Sequence, residues 1–131
     1  MHVLVAEDDF PSRKSIMKYL SQYGECDATV DGMEATFAYT MALDEENYYD
    51  LVCLDVMMPV LDGYQALKTI RFMEEERKIP VEKRAKIIMM TALNEEKNVK
   101  MAFEMGCSAY CAKPIDFKRL EEVLRKLELI S

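Results

Sequence analysis

The 131-residue chain is half hydrophobic with only four glycines and four prolines, which suits one folded domain and argues against disorder. Its formal charge of -7 is at odds with the basic stripe that nucleic-acid binding needs, and no apolar run approaches the ~20 residues of a membrane span. No signal-peptide pattern precedes the first apolar run and no effector domain follows the last, so a stand-alone cytoplasmic module spanning 1–131 is expected.

Hydrophobic periodicity gives five strand–helix units in chain order. The first strand covers about 2–7, and its helix starts near Pro11, placing Ile16, Leu20 and Tyr23 on one face before Gly24. His2, the only histidine, reads as a solvated terminal residue. The second strand is 26–30, and Asp31-Gly32 turns into a helix bearing Ala35, Ala38, Tyr39 and Ala42. The third strand, 50–55, leads into a loop over 56–61. Asp62-Gly63 then opens a helix with Ala66, Leu67 and Ile70 inward, and the charge run Glu74-Glu75-Glu76-Arg77-Lys78 reads as its solvated end. The fourth strand is 86–90, and the fourth helix runs from about Asn94 to Met105, with Gly106 as its stop. The fifth strand is 109–112, and Asp116 caps a last helix with Phe117, Leu120, Leu124 and Leu127 on its buried stripe. Cys26, Cys53, Cys107 and Cys111 lie in or beside strands without metal-ligand spacing and are expected to be reduced core side chains.

Alternating strands and helices imply a doubly wound α/β fold with a parallel sheet, whose strand C-termini share one edge where ligands bind. Four polar signatures follow four of the strands: Glu7-Asp8-Asp9, Asp55, Thr91-Ala92 and Lys113-Pro114. Converging carboxylates repel one another unless a cation joins them, and Mg2+ favours a few carboxylate oxygens plus phosphate. Asp8 and Asp55 can offer direct oxygens, Glu7 can act through water, and the backbone carbonyl of Met57 can turn into the same site. Asp55, ending the central strand, is the best nucleophile for a phosphoryl group. Lys113 supplies a mobile positive charge and Thr91 a short donor. Asp9 fits a helix N-cap as well as it fits the pocket.

With these residues in order, the chain resembles the receiver domain of two-component response regulators, of the single-domain CheY-like type, over essentially 1–131. The segment 5–9 resembles the family's acidic pair, and Asp55-Val56-Met57-Met58-Pro59 its phosphoacceptor motif. Asp62-Gly63 matches its turn, Thr91-Ala92 its switch hydroxyl, Tyr110 its aromatic switch and Lys113-Pro114 its lysine. The resemblance implies a flavodoxin-like (βα)5 fold with sheet order 2-1-3-4-5. It also implies that Asp55 accepts phosphate from a phosphohistidine on a sensor histidine kinase or histidine phosphotransfer protein, without separate substrate turnover. Glu7, Asp8, Asp55 and the Met57 carbonyl would hold Mg2+, or Mn2+ in its place, with Asp9 outside the shell. A cis Lys113–Pro114 bond, aiming the lysine back at the pocket, is expected on the same grounds.

Two departures stand out. The segment 71–85 is longer than in compact family members, which should lengthen the third helix or its loop. The positions two residues after Asp55 and Thr91 carry apolar Met57 and Leu93, which cannot orient an attacking water, so a long-lived aspartyl phosphate is expected. A helical wheel of the fourth helix puts Val99, Ala102 and Phe103 on the inner side, leaving Met101 and Met105 outward beside Tyr110 as an output surface for an unidentified protein target. The rivals are a Mg2+-dependent phosphatase with an aspartyl nucleophile and a degenerate receiver that takes no phosphate. The first lacks a second acid two residues after Asp55, and the complete acceptor set argues against the second.

Overall fold

The computed structural model describes residues 1–92 and 96–131, the side chains of Glu96 and Lys97 excepted. Its strands are β1 (His2–Ala6), β2 (Glu25–Thr29), β3 (Leu51–Asp55), β4 (Lys86–Thr91) and β5 (Ala109–Ala112). Its helices are α1 (Phe10–Leu20), α2 (Gly32–Asp44), α3 (Gly63–Glu76), α4 (Glu96–Glu104) and α5 (Phe117–Lys126). Every strand pair is parallel and the sheet order is β2-β1-β3-β4-β5, as the resemblance implied. The order reverses between β1 and β3, which opens a crevice at their C-terminal ends.

Polar residues fix where four of the helices begin. Asp9 accepts from the Ser12 amide, Asp31 from Glu34, and Asp116 from Lys118 and Arg119. Asp62 and Gln65 form a reciprocal capping box at α3. Asp9 is thus an N-cap. Helix α1 stops at Leu20, before Gly24, and Tyr23 lies beyond it, half-buried. Residues 93–95, the expected start of the fourth helix among them, lie outside the described residues.

Alternation along the strands divides the core into two layers. Leu4, Ala6, Val52, Leu54, Ile87 and Met89 pack with Tyr39, Ala66, Leu67, Ile70 and Ala102 on the α2–α3–α4 side. Val3, Val5, Cys53, Ile88 and Met90 pack with Ile16, Leu20, Leu120 and Leu124 on the α1–α5 side. Strand β3 is buried on both faces, so it reads as a continuous apolar run ending in a carboxylate. Its final residue is therefore held rigidly. Burying one such leucine contributes about 1.5–3 kcal/mol. Cys53, Cys107 and Cys111 are buried free thiols, pushed up in pKa by desolvation.

Three expectations need correction. The run from Glu74 to Lys78 is not wholly solvated: Glu74 is fully buried, although its neighbours are exposed. Its carboxylate accepts from the Tyr39 hydroxyl, the Ala85 amide (3.1 Å) and Arg71 Nη1 (2.7 Å). Arg71 also donates through Nε to the Gly106 carbonyl. The extra length of 71–85 includes a 3-10 turn at Val81–Lys83, which brings the Ala85 amide back onto this carboxylate. His2 is likewise not a solvated end. It stacks on Tyr49 at 4.0 Å, and its Nε2 lies 3.0 Å from Asp27 Oδ2. On α4, Phe103 is exposed, and just past its end Met105 packs against the α2–α3–α4 core, the reverse of the wheel reading, while Met101 is exposed as expected. Ala102 is the buried anchor, and Met105 shares its side of the helix three residues on.

Candidate functional site

Ala6 pairs with Leu54, and Asp55 with Met90, so the residues following β1, β3 and β4 emerge side by side. Two close backbone approaches hold the loop after β3. The Gly63 amide donates to the Val56 carbonyl (3.0 Å), and a Cβ there would meet the Asp55 carbonyl oxygen at 2.4 Å. The Gly32 amide donates to the Leu61 carbonyl (3.0 Å), tying the start of α2 to the same loop. Only glycine permits either approach.

In this frame Glu7, Asp8 and Asp55 each offer a carboxylate oxygen within 4.8 Å of the others. Glu7 and Asp55 are buried, whereas Asp8 is exposed at the mouth. Lys113 reaches in from the end of β5, pairing with the Glu7 carboxylate and lying 3.5 Å from Asp55 Oδ1. The Lys113–Pro114 bond is cis, and the Lys113 amide bonds to the Thr91 carbonyl (2.9 Å). Thr91 is fully buried at the end of β4.

Asp55 is 3% exposed, and its Oδ1 is a buried oxygen with no hydrogen-bond partner among the described residues. Burial first, then the hydrogen bond and negative charge of Glu7, push the Asp55 carboxyl up to about 7. Lys113 and the Met57 amide pull the other way without overcoming that rise. Burial also opposes ionisation of Glu7, but hydrogen bonding with Asp55 and Lys113 outweighs it and holds Glu7 below its ordinary value. Lys113 is raised: desolvation is overcome by its bonds and charges with Glu7 and Asp55. The strained group is therefore Asp55.

This donor set fits a hard divalent cation. It gathers carboxylate oxygens alone, one of them buried without a hydrogen bond among the described residues, beside an open exposed acid. Because Lys113 holds one Glu7 oxygen, Asp8 and Asp55 are better suited to direct contact than Glu7. Met57 lies two residues beyond Asp55 with its side chain exposed, and Leu93 lies outside the described residues.

Tyr110 is half-buried on β5. Burial and the Tyr64 hydroxyl raise its pKa, while a hydrogen bond with Thr91 acts in the opposite sense. The two expected switch residues are thus in communication. Tyr64 was missed from the sequence; the signal available was its place immediately after the Asp62-Gly63 turn. Arg13 was missed too. Its Nη1 donates to the Glu7 carbonyl (2.8 Å), bracing the acidic turn from α1. Met101 and Met105 do not form one outward patch. Val99, Phe103, Tyr110 and Ala112 instead line a groove with Arg119 and Val123 of α5.

The model of the response regulator receiver domain matches residues 3–125. The chain belongs to that family. It is 33% identical over 122 residues to the chemotaxis protein CheY of Treponema pallidum, covering 92% of this chain and 77% of that protein. Among solved structures, the CheX–CheY–BeF3–Mg2+ complex of Borrelia burgdorferi matches with a TM-score of 0.81 at 26% identity, over 100% of this chain and 90% of that one. The Saccharomyces cerevisiae co-crystal of the histidine phosphotransfer protein Ypd1 with the Ssk1 receiver domain matches at 0.80 and 25% identity, over 95% and 86%. The chain spans only 56%, 7% and 53% of the length of three other curated relatives. Among the described residues, no helix is long and apolar enough to cross a membrane.

Proposed function

We propose that this chain is a phosphorylation-dependent receiver switch of a two-component pathway, acting in the cytoplasm. Asp55 accepts a phosphoryl group from the phosphohistidine of a sensor histidine kinase or a histidine phosphotransfer protein. The observation that carries this reading is the buried carboxylate of Asp55, raised in pKa and with one oxygen lacking a hydrogen bond among the described residues, between a lysine and two acids. The relatives with Mg2+, BeF3 and a phosphotransfer partner support it by analogy.

Asp8, Asp55 and the Met57 carbonyl would hold Mg2+ or Mn2+, with Glu7 in support. The cation would neutralise Asp55 and the incoming phosphoryl oxygens. A carboxylate oxygen of Asp55 forms the new bond to phosphorus as the phosphorus–nitrogen bond breaks, and the departing electron pair stays on the imidazole. Lys113 exchanges part of its contact with Glu7 for a phosphoryl oxygen, while Thr91 donates to another. To move a population from about 1:99 to 99:1 these contacts must favour the active state by roughly 5.5 kcal/mol, and each charge-assisted bond contributes about 1.5–3 kcal/mol. Turning Thr91 withdraws its bond from Tyr110, which remodels the groove beside Val99 and Phe103 for a downstream protein. The chain has no separate substrate to turn over.

Incubation with acetyl phosphate and Mg2+, read on a phosphate-affinity gel, tests the reading. One phosphate per chain is expected, and none in Asp55→Asn or with a chelator. Label retained by Asp55→Asn would overturn the assignment, and rapid release of inorganic phosphate would favour a phosphatase.

A further inference from the structure

Between Tyr19 and Leu67 the chain has ten acidic residues and no lysine or arginine. Seven of the ten lie between Glu25 and Glu46, the part of this stretch that builds β2, at the edge of the sheet, and all of α2. Edge strands are commonly guarded by charge, so Glu25 and Asp27 on β2 have an ordinary explanation. The outer face of α2 does not. Met33, Phe37 and Met41, spaced by four, are 44%, 64% and 57% exposed and form one apolar stripe about 12 Å long. Beside it, a cleft of about 290 Å³ runs between α2 and β2, lined by Ala38, Met41 and Ala42 with Glu25, Asp27 and Glu45. Asp44 is paired with Arg77, but among the described residues Glu25, Asp31, Glu34, Glu45 and Glu46 have no ion-pair partner.

We propose that this α2–β2 face docks a cationic amphipathic helix of a partner protein. Its apolar side would lie along Met33, Phe37 and Met41, with one side chain in the cleft and its lysines or arginines against the unpaired acids. Methionine and phenylalanine suit helix-in-groove recognition because flexible thioethers adapt to different apolar anchors. Charge chooses this occupant over a second copy of the chain. A two-fold contact through α2 would set acids against acids. The stripe shares no residue with the acidic pocket or with the groove at Tyr110.

The probe is a synthetic Leu/Lys amphipathic peptide of about 18 residues, five helical turns, carrying one tryptophan. Because the protein has no tryptophan, the peptide's emission alone reports binding. Micromolar binding by the full chain is expected, weakened about tenfold by Phe37→Ala and again by Glu34→Lys with Glu45→Lys. Phe72→Ala, at another exposed phenylalanine on α3, should bind as wild type. Circular dichroism checks each fold, and Met33→Ala with Met41→Ala is the second variant should Phe37→Ala misfold. Absence of binding, equal loss in the Phe37 and Phe72 variants, or equal binding of a Leu/Glu peptide would overturn the proposal. So would a concentration-dependent dimer lost on Phe37→Ala, which would give the face to a second copy.

Discussion

Asp55 and Glu74 are both carboxylates removed from water, but they are held in opposite ways. Both oxygens of Glu74 are engaged, by Tyr39, the Ala85 amide and Arg71. Asp55 faces another acid, Glu7, and leaves one oxygen without a hydrogen bond among the described residues. A buried acid whose lone pairs are filled ties elements together; here α2, α3 and the start of β4 meet at Glu74. A buried acid left short of donors is poised for a cation or an electrophile. Burial alone does not separate the two; satisfaction does.

The sharpest way to break this contrast is to remove each carboxylate and measure stability by denaturant titration. Glu74→Ala strands Arg71, the Tyr39 hydroxyl and the Ala85 amide, and should destabilise the fold by about 3 kcal/mol. It should still take phosphate at the temperature where it is folded. A loss below about 1 kcal/mol would show that the Glu74 assembly is dispensable.

Asp55→Asn should do the reverse. Its carboxyl has an ordinary value of 3.8 in the unfolded chain and about 7 in the fold. The raised folded value means stability is fully present below about pH 4 and is lost as pH rises to about 7. The asparagine variant escapes that loss, so without divalent cation it should exceed wild type by roughly 4 kcal/mol above pH 7 and match it near pH 4. Added Mg2+ should narrow the gap by stabilising wild type alone. An advantage that persists unchanged at pH 4 would remove charge from the explanation.

The same competition between proton and cation sets a smaller effect. Below about pH 7 the Mg2+ affinity of wild type should fall about tenfold per pH unit, measured by calorimetry with proton release. Glu74→Gln should keep that slope, since its carboxylate is remote from the pocket chemistry. A flat profile between pH 5 and 7 would mean that Asp55 is ionised throughout.

Smallest is the change in phosphate lifetime. Replacing Met57, two residues after Asp55, with Asn and Leu93, two residues after Thr91, with Glu adds polar groups able to hydrogen-bond water, and should speed decay about threefold, under about 1 kcal/mol of barrier. The Met57 side chain is open to solvent, which sets this expectation lower than any other. Unchanged decay on a phosphate-affinity gel would leave no role for these two side chains.

The pocket could be read before any coordinates because a parallel sheet turns chain order into spatial order. Once Glu7, Asp55, Thr91 and Lys113 each follow a strand, one edge must collect them. The cap at Asp116 was as legible, and Asp31-Gly32 and Asp62-Gly63 marked their helix starts, because capping is satisfied within three residues; Asp9 stayed open between cap and pocket until the structure made it a cap. What tertiary structure alone decided involves partners far along the chain. Glu74 is buried because Tyr39 lies 35 residues away in sequence and Ala85 returns 11 residues later, so its local charge run pointed to solvent. His2 is packed because Tyr49 and Asp27 meet it across the sheet edge. Which α4 side chains face out depended on how that helix rolls over Ala102, turning Met105 inward and Phe103 outward. Periodicity defines a helix's faces, but only its neighbours determine which face they cover.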